Sequence, residues 1–205
     1  MKSKLFFSWM LILITTLFSA CQRKQTTWQV SSPNGKVEVI VTWNKADGSV
    51  SYVTDLHRED GKTTRALDKS TLGLVREDHD FSKGLKFTSI AREEIYESYS
   101  TISGKRINDV NQCNEITLSF EHDSGEIMNI IFRAYDEGMA FRYHFAAQDT
   151  AQHMVIDELS SFNLNTTGGK AWMQTYDTIR HWSLGYEIPY DREIPIGTSA
   201  PVSYG

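Results

Sequence analysis

Between Trp172 and Tyr190 the chain crowds Trp172, Tyr176, Trp182, Tyr186 and Tyr190 among Arg180, His181 and Glu187, with Asp191, Arg192 and Glu193 directly after. Aromatic rings beside carboxylates and guanidinium groups suit a saccharide. The rings stack on the apolar C–H faces of a sugar while the polar groups hydrogen-bond its hydroxyls. An aromatic core edge followed by a surface loop has the same composition, and both readings stay open on the residues alone. Other chemistries find less support. Six histidines are scattered at His57, His79, His122, His144, His153 and His181, and none shows the His-x-His or His-x-x-x-His spacing of a metal site built on one element. His122 falls in a turn and His144 on the polar face of a strand, where solvated or hydrogen-bonded side chains are expected. The chain carries no Gly-x-Ser-x-Gly, no phosphate loop and no dinucleotide fingerprint. The adjacent carboxylates Glu93-Glu94, Asp136-Glu137 and Asp157-Glu158 point to opposite faces of a strand, so they form no local acid/base pair.

The elements that would position such a site are strands. Val37, Val39, Val41 and Trp43 alternate with Glu38, Ile40 and Thr42, which gives a strand with one apolar face. Asp47-Gly48 supplies a turn, and Val50 and Tyr52 begin the return. Ile116, Leu118 and Phe120 form a second such face. His122-Asp123-Ser124-Gly125 then turns the chain into Met128, Ile130, Phe132 and Ala134. Asp136-Glu137-Gly138 turns it again into Met139, Phe141, Tyr143 and Phe145. This three-strand meander has hairpin turn chemistry and strict two-residue periodicity. Residues 92–99 read as one helical turn or as a strand with Ile95, Glu97 and Tyr99 on one face; a strand is favoured. No segment holds a long 3.6-residue period. Many strands, short turns and no parallel crossover imply a large antiparallel β-sandwich, all-β throughout.

The N-terminus has the form of an export signal. Lys2 and Lys4 precede an apolar run of about 14 residues and then Ser19-Ala20-Cys21, the pattern of a secretory leader. That run is shorter than the roughly 20 residues a membrane-spanning helix needs. Phe18-Ser19-Ala20-Cys21 resembles a bacterial lipobox, which implies acylation at Cys21 and a stable membrane anchor. Residues 1–20 then read as the signal, 21–27 as a tether, and 28–205 as one domain large enough for a good core. Gln22-Arg23-Lys24 offers no acidic cluster, so a periplasm-facing anchor in the bacterial envelope is expected rather than the cell surface. The formal charge is −5, and removing Lys2 and Lys4 with the signal leaves about −7. Such an evenly mixed acidic surface argues against nucleic acid as a partner. Cys113 is the only other cysteine; acylation of Cys21 leaves it no internal disulfide partner. It reads as a semi-buried residue just before a strand.

The order of segments resembles glycoside hydrolase family 97, the bacterial α-glucosidases and α-galactosidases, in its N-terminal domain only. The similarity runs from Ser31-Ser32-Pro33-Asn34-Gly35-Lys36 through Ser70-Thr71-Leu72-Gly73-Leu74 to Asn114-Glu115-Ile116-Thr117-Leu118. Its most specific piece is Ile131-Phe132-Arg133-Ala134-Tyr135-Asp136-Glu137-Gly138-Met139-Ala140-Phe141-Arg142-Tyr143. It continues through Asp157-Glu158 and Phe162 to Ala171-Trp172 and Tyr176-Asp177. The resemblance implies a β-super-sandwich similar to galactose mutarotase, packed against a catalytic (β/α)8 barrel that this chain does not contain. The two carboxylates of glycoside cleavage would lie in that barrel. No catalytic residue is therefore assigned here, and the chain by itself is expected to be inactive. An α-linked oligosaccharide is the implied substrate of the intact enzyme. In inverting members a Glu of the N-terminal domain helps bind Ca²⁺. Glu187 with Tyr190 reproduces that Glu-x-x-Tyr spacing, although residues 179–185 look like extra length, and Glu193 is the fallback. A single Glu cannot hold Ca²⁺ without further oxygen ligands. The alternative is a stand-alone lipoprotein sandwich that binds glycans or another protein without catalysis.

Overall fold

The computed structural model describes residues 26–146, 151–172 and 193–199. The expected signal, Cys21 and Glu187 lie outside the described residues. Every regular element among those described is a strand. β1 (Thr27–Ser31), β2 (Val37–Trp43), β3 (Val50–His57) and β4 (Thr63–Leu72) form one antiparallel sheet in that order. β6 (Lys86–Ser100), β7 (Asn108–Glu121), β8 (Ile127–Tyr135) and β9 (Gly138–Phe145) form the other. Two short ladders complete the structure: β5 (Leu74–Arg76) with β10 (Val155–Glu158), and β11 (Lys170–Trp172) with β12 (Glu193–Pro195). The expected antiparallel sandwich is what the chain forms.

Two-residue alternation explains how the sheets close on each other. Val39, Val41, Trp43, Val50 and Tyr52 face inward from the first sheet, and Ile116, Leu118, Phe120, Met128, Ile130, Phe132 and Ala134 from the second; all join one core. Each large apolar side chain so buried contributes roughly 1.5–3 kcal/mol. Trp28 packs its ring 4.4 Å from Phe87, and Tyr52 lies 5.6 Å from both Phe132 and Phe141. Polar atoms on these aromatics find partners. Trp43 Nε1 donates to Leu85 O (2.9 Å), and Tyr52 Oη donates to Ser161 O (3.0 Å).

The β2–β3 turn requires glycine at one position. Gly48 has φ 75°, and a Cβ there would sit 2.3 Å from Leu85 N and 2.7 Å from Gly84 N. The turn touches the loop before β6 so closely that Gly84 N donates to Asp47 O (2.8 Å). Only a residue without a side chain allows that approach.

Three details differ from expectation or extend it. Residues 92–99 are strand, the interior of β6. β7 begins at Asn108 rather than near Ile116, because it pairs β6 along its whole length, from Lys86↔Glu121 to Ser100↔Asn108. Cys113 therefore lies inside a strand, not before one, and is 1% exposed rather than semi-buried. β8 joins β7 only as far as Asn114↔Ala134, so the β6–β7 hairpin projects past its neighbour. That projection carries the exposed side chains of Tyr96, Tyr99, Ile102, Ile107 and Val110.

Candidate functional site

The aromatic and charged segment begins and ends on one ladder. β11 and β12 pair antiparallel through Lys170↔Pro195, Ala171↔Ile194 and Trp172↔Glu193, which sets the two ends of residues 173–192 side by side. Tyr176, Arg180, His181, Trp182, Tyr186, Glu187 and Tyr190 lie outside the described residues. Glu193 is described. Its carboxylate accepts from Lys170 Nζ at 3.2 Å, and both side chains are solvent-exposed. An exposed pair of this kind contributes little stability, and Glu193 brings no second acidic side chain with it among the described residues.

A different polar cluster sits where β5 meets the β7–β8 turn. Arg76 is buried, its side chain 4% exposed, and two edges of its guanidinium are taken by carboxylates. Nη1 and Nη2 donate to Glu126 Oε1 (2.7 Å) and Oε2 (2.9 Å). Nε donates to Asp78 Oδ1 (2.8 Å), and Nη2 also donates to Asp78 Oδ2. The guanidinium lies over two rings, 5.0 Å from the centroid of Phe81 and 4.7 Å from that of Phe145, so cation–π attraction adds to the ion pairs. Arg76 holds the Asp78 carboxyl well below the usual carboxylate range, chiefly through the hydrogen bond it donates. His153 Nδ1 lies 3.3 Å and His79 Nε2 4.0 Å from the same Asp78 oxygen, and the His79 and His122 rings are 5.5 Å apart.

Asp78, His79 and Glu126 are the one group among the described residues spaced to share a metal ion. The chemistry argues otherwise. Arg76 Nη2 donates to both carboxylates, so a cation already occupies the space between them. A metal there would face that fixed positive charge. The cluster is a structural ion triad that ties β5 to the opposite sheet. It also fails as a Ca²⁺ site, since a hard cation wants six or more oxygens. Sequence spacing could not reveal it, because Glu126 is far from Arg76 along the chain. The signal that was available was Arg76 with Asp78 two residues on, flanking a short strand.

The segment from Ile131 to Tyr143 forms β8, its turn and β9, in the register Phe132↔Phe141, Arg133↔Ala140 and Tyr135↔Gly138. Its inward residues fill the core. Its outward residues are not an ordinary solvated face. Arg133 Nε donates to Glu115 Oε2 (2.7 Å), Glu115 is buried, and this pairing keeps the Arg133 guanidinium charged well above the ordinary range. The turn also anchors the first sheet, since Asp136 Oδ1 accepts from Asn34 N (3.0 Å). His122 and His144 behave as expected of surface histidines: His122 Nδ1 lies 2.9 Å from Ser124 Oγ, and His144 Nδ1 lies 3.3 Å from Asn129 Nδ2.

Comparison with known proteins bears on this arrangement at three levels. The model of the family described as glycosyl-hydrolase 97 N-terminal matches residues 30–201. A curated relative, the "probable retaining alpha-galactosidase" of Streptomyces bingchenggensis (strain BCW-1), is 28% identical over 167 residues, covering 80% of this chain and 25% of its own. A glycoside hydrolase family 97 enzyme from Pseudoalteromonas sp. strain K8, solved in complex with acarbose, superposes with a TM-score of 0.60 at 25% identity. The match covers 73% of this chain and 22% of that one. A variant of the same enzyme was solved with panose. A beta-arabinopyranosidase crystal structure matches with a TM-score of 0.59 at 28% identity, over 68% of this chain and 21% of its own. The chain thus spans about a quarter of the length of the relatives it matches.

Proposed function

The chain belongs to the glycosyl-hydrolase 97 N-terminal family, and from that membership we propose that it is the front domain of an exo-acting α-glycosidase. In the intact enzyme the domain walls one side of the sugar pocket, and the carboxylates that cleave the glycosidic bond come from a barrel outside this chain. The observation that carries the reading is the family match over residues 30–201. The acarbose and panose complexes of a relative with the same sandwich support an α-linked oligosaccharide as substrate.

The domain's own contribution is positional. The β11–β12 ladder pairs Trp172 with Glu193, the two described residues that flank the aromatic and charged segment 173–192. Glu187 on that segment is the residue proposed to lend one oxygen to a Ca²⁺ completed by ligands from the barrel. No set of oxygen ligands among the described residues fits that ion by itself, so no catalytic step is assigned through it. Cys21 is proposed as the acylated N-terminus that holds the enzyme on the bacterial envelope, facing the periplasm.

Turnover tests the reading. The 205-residue chain should release no p-nitrophenol from p-nitrophenyl α-glucoside or α-galactoside. The gene product that includes the barrel should hydrolyse one of them, lose activity with a Ca²⁺ chelator, and need a higher Ca²⁺ concentration for activity with Glu187→Gln. Turnover by the short chain, or a longer product inactive on every α-glycoside, would sink the proposal. Replacing Cys21 with Ala should move the protein from the membrane to the soluble fraction.

A further inference from the structure

We propose that the outer face of the β6–β9 sheet, at the step where the β6–β7 hairpin outruns β8, is a saccharide-binding surface with Tyr99 and Tyr135 as its platforms. The inference rests on the carbohydrate reading of the family and names the face of this domain that meets the sugar.

The step follows from strand length. β6 and β7 stay paired out to Ser100↔Asn108, whereas β8 leaves β7 at Asn114↔Ala134. Tyr135, the last residue of β8, therefore stands at the corner of a shelf. Alternation and the pairs Glu97↔Asn111 and Tyr99↔Asp109 put four further side chains on the shelf's outer side. These residues and Val110 line an open depression of about 530 Å³, within the 300–1,000 Å³ range usual for small-ligand sites. A second cavity of about 190 Å³, lined by Arg133 and Arg142 among others, shares Tyr135. Tyr135 thus borders both hollows.

The lining selects a class of ligand. Tyr99 is 49% exposed, and a half-open phenol ring offers a flat apolar face with a polar tip. Planar polar groups share the lining, and one contact already fixes their orientation: Asn111 Nδ2 donates to Glu97 Oε2 at 2.9 Å. A carboxylate and a carboxamide locked in this way accept from and donate to neighbouring hydroxyls without first losing rotamer freedom. Glu97 and Asp109 in the lining, with no Lys or Arg there, disfavour an anion. Flat apolar faces interleaved with hydroxyls are the chemistry of a neutral oligosaccharide, which could contact Tyr99 and Tyr135 together.

Panose titrated into the ¹⁵N-labelled chain, followed by amide chemical shifts, tests this directly. Amides of Glu97, Tyr99, Asp109, Asn111 and Tyr135 should shift together. Tyr99→Ala should weaken binding about tenfold, the equivalent of about 1.4 kcal/mol. Tyr99→Phe should bind nearly as the parent does because the ring remains, and Glu97→Gln should weaken it while leaving the spectrum folded. Absent shifts, shifts confined to other strands, or Tyr99→Ala binding as tightly as the parent would each overturn the proposal. So would spermidine moving the same amides more than panose, since that marks an ammonium site. Turnover by the longer enzyme is read separately, so a failure here leaves the glycosidase reading standing.

Discussion

Arg76→Met should cost this fold more than any surface charge, and the loss should shrink in acid. The substitution keeps an unbranched stem against Phe81 and Phe145 but removes the cation that Asp78 and Glu126 share. Breaking a fully buried ion pair costs about 3–5 kcal/mol. Here the orphaned carboxylates are 31% and 19% exposed, so water recovers part of their solvation. Roughly 2–4 kcal/mol is the resulting expectation. At about 2–4 °C per kcal/mol for a domain of this size, the melting temperature should fall by on the order of 10 °C.

The pH dependence separates this cause from lost packing. Asp78 has a folded pKa held well below its ordinary value by Arg76. Its contribution is therefore complete above the unfolded pKa of about 3.9 and is lost as pH falls through the folded value. In Arg76→Met that contribution is gone, and two neighbouring carboxylates repel until one is protonated. Urea unfolding followed by tryptophan fluorescence at pH 7 and near pH 3 should show a gap between parent and variant that narrows at the lower pH. A loss below about 1 kcal/mol at pH 7, the range of an exposed pair, would refute the triad as a structural clamp. A gap that stays constant with pH would assign the loss to packing instead.

Two further outcomes follow from the packing. Gly48→Ala should destabilise by more than about 2 kcal/mol, because left-handed strain of about 1–2 kcal/mol is joined by a backbone clash. Gly35→Ala, with φ 71° and nothing within 4 Å of its Cβ, should show the strain alone; equal losses in urea titrations would discount the crowding at Gly48. In a Cys21→Ser chain, the Cys113 thiol at 1% exposure should resist Ellman's reagent until the protein unfolds, whereas reaction at the rate of a free thiol would place it at the surface.

The strands of the core were legible because their signal is local. Val39, Val41 and Trp43, or Ile116, Leu118 and Phe120, announce one buried face by two-residue alternation, and the turns at Asp47-Gly48 and Asp136-Glu137 announce where each strand reverses. The far half of the β6–β7 hairpin was not legible in the same way. Glu93, Glu94, Glu97, Asn111 and Gln112 obscure any apolar period there, since neither face of that hairpin is covered by a second layer. Charged residues along β6 suit an edge strand that must not pair with another chain, and they erase the pattern that identifies a strand. The Arg76 triad was hidden for another reason. Arg76 ends β5 and Glu126 comes from a turn fifty residues later, and only the closed sandwich brings them together. The aromatic segment keeps its sequence-level reading, with only its two ends placed by the described ladder.

The hairpin that carries the most specific family resemblance holds two kinds of information, and packing accounts for one of them. Inward, Phe132, Ala134, Met139, Phe141 and Tyr143 complete the core, as any well-packed pair of strands would. Outward, a solvated strand face could carry almost any polar side chain. Instead Glu115 is buried there against Arg133, and Ile131 is buried beside it. Desolvating a carboxylate on the outer face of a sheet costs free energy that its partner only partly offsets. A stable sandwich did not need this arrangement, whereas a face that must hold Arg133 and Tyr135 in fixed positions does. The outer face of β8 is therefore where this domain departs from what folding alone requires, and where the saccharide contact proposed above is to be tested.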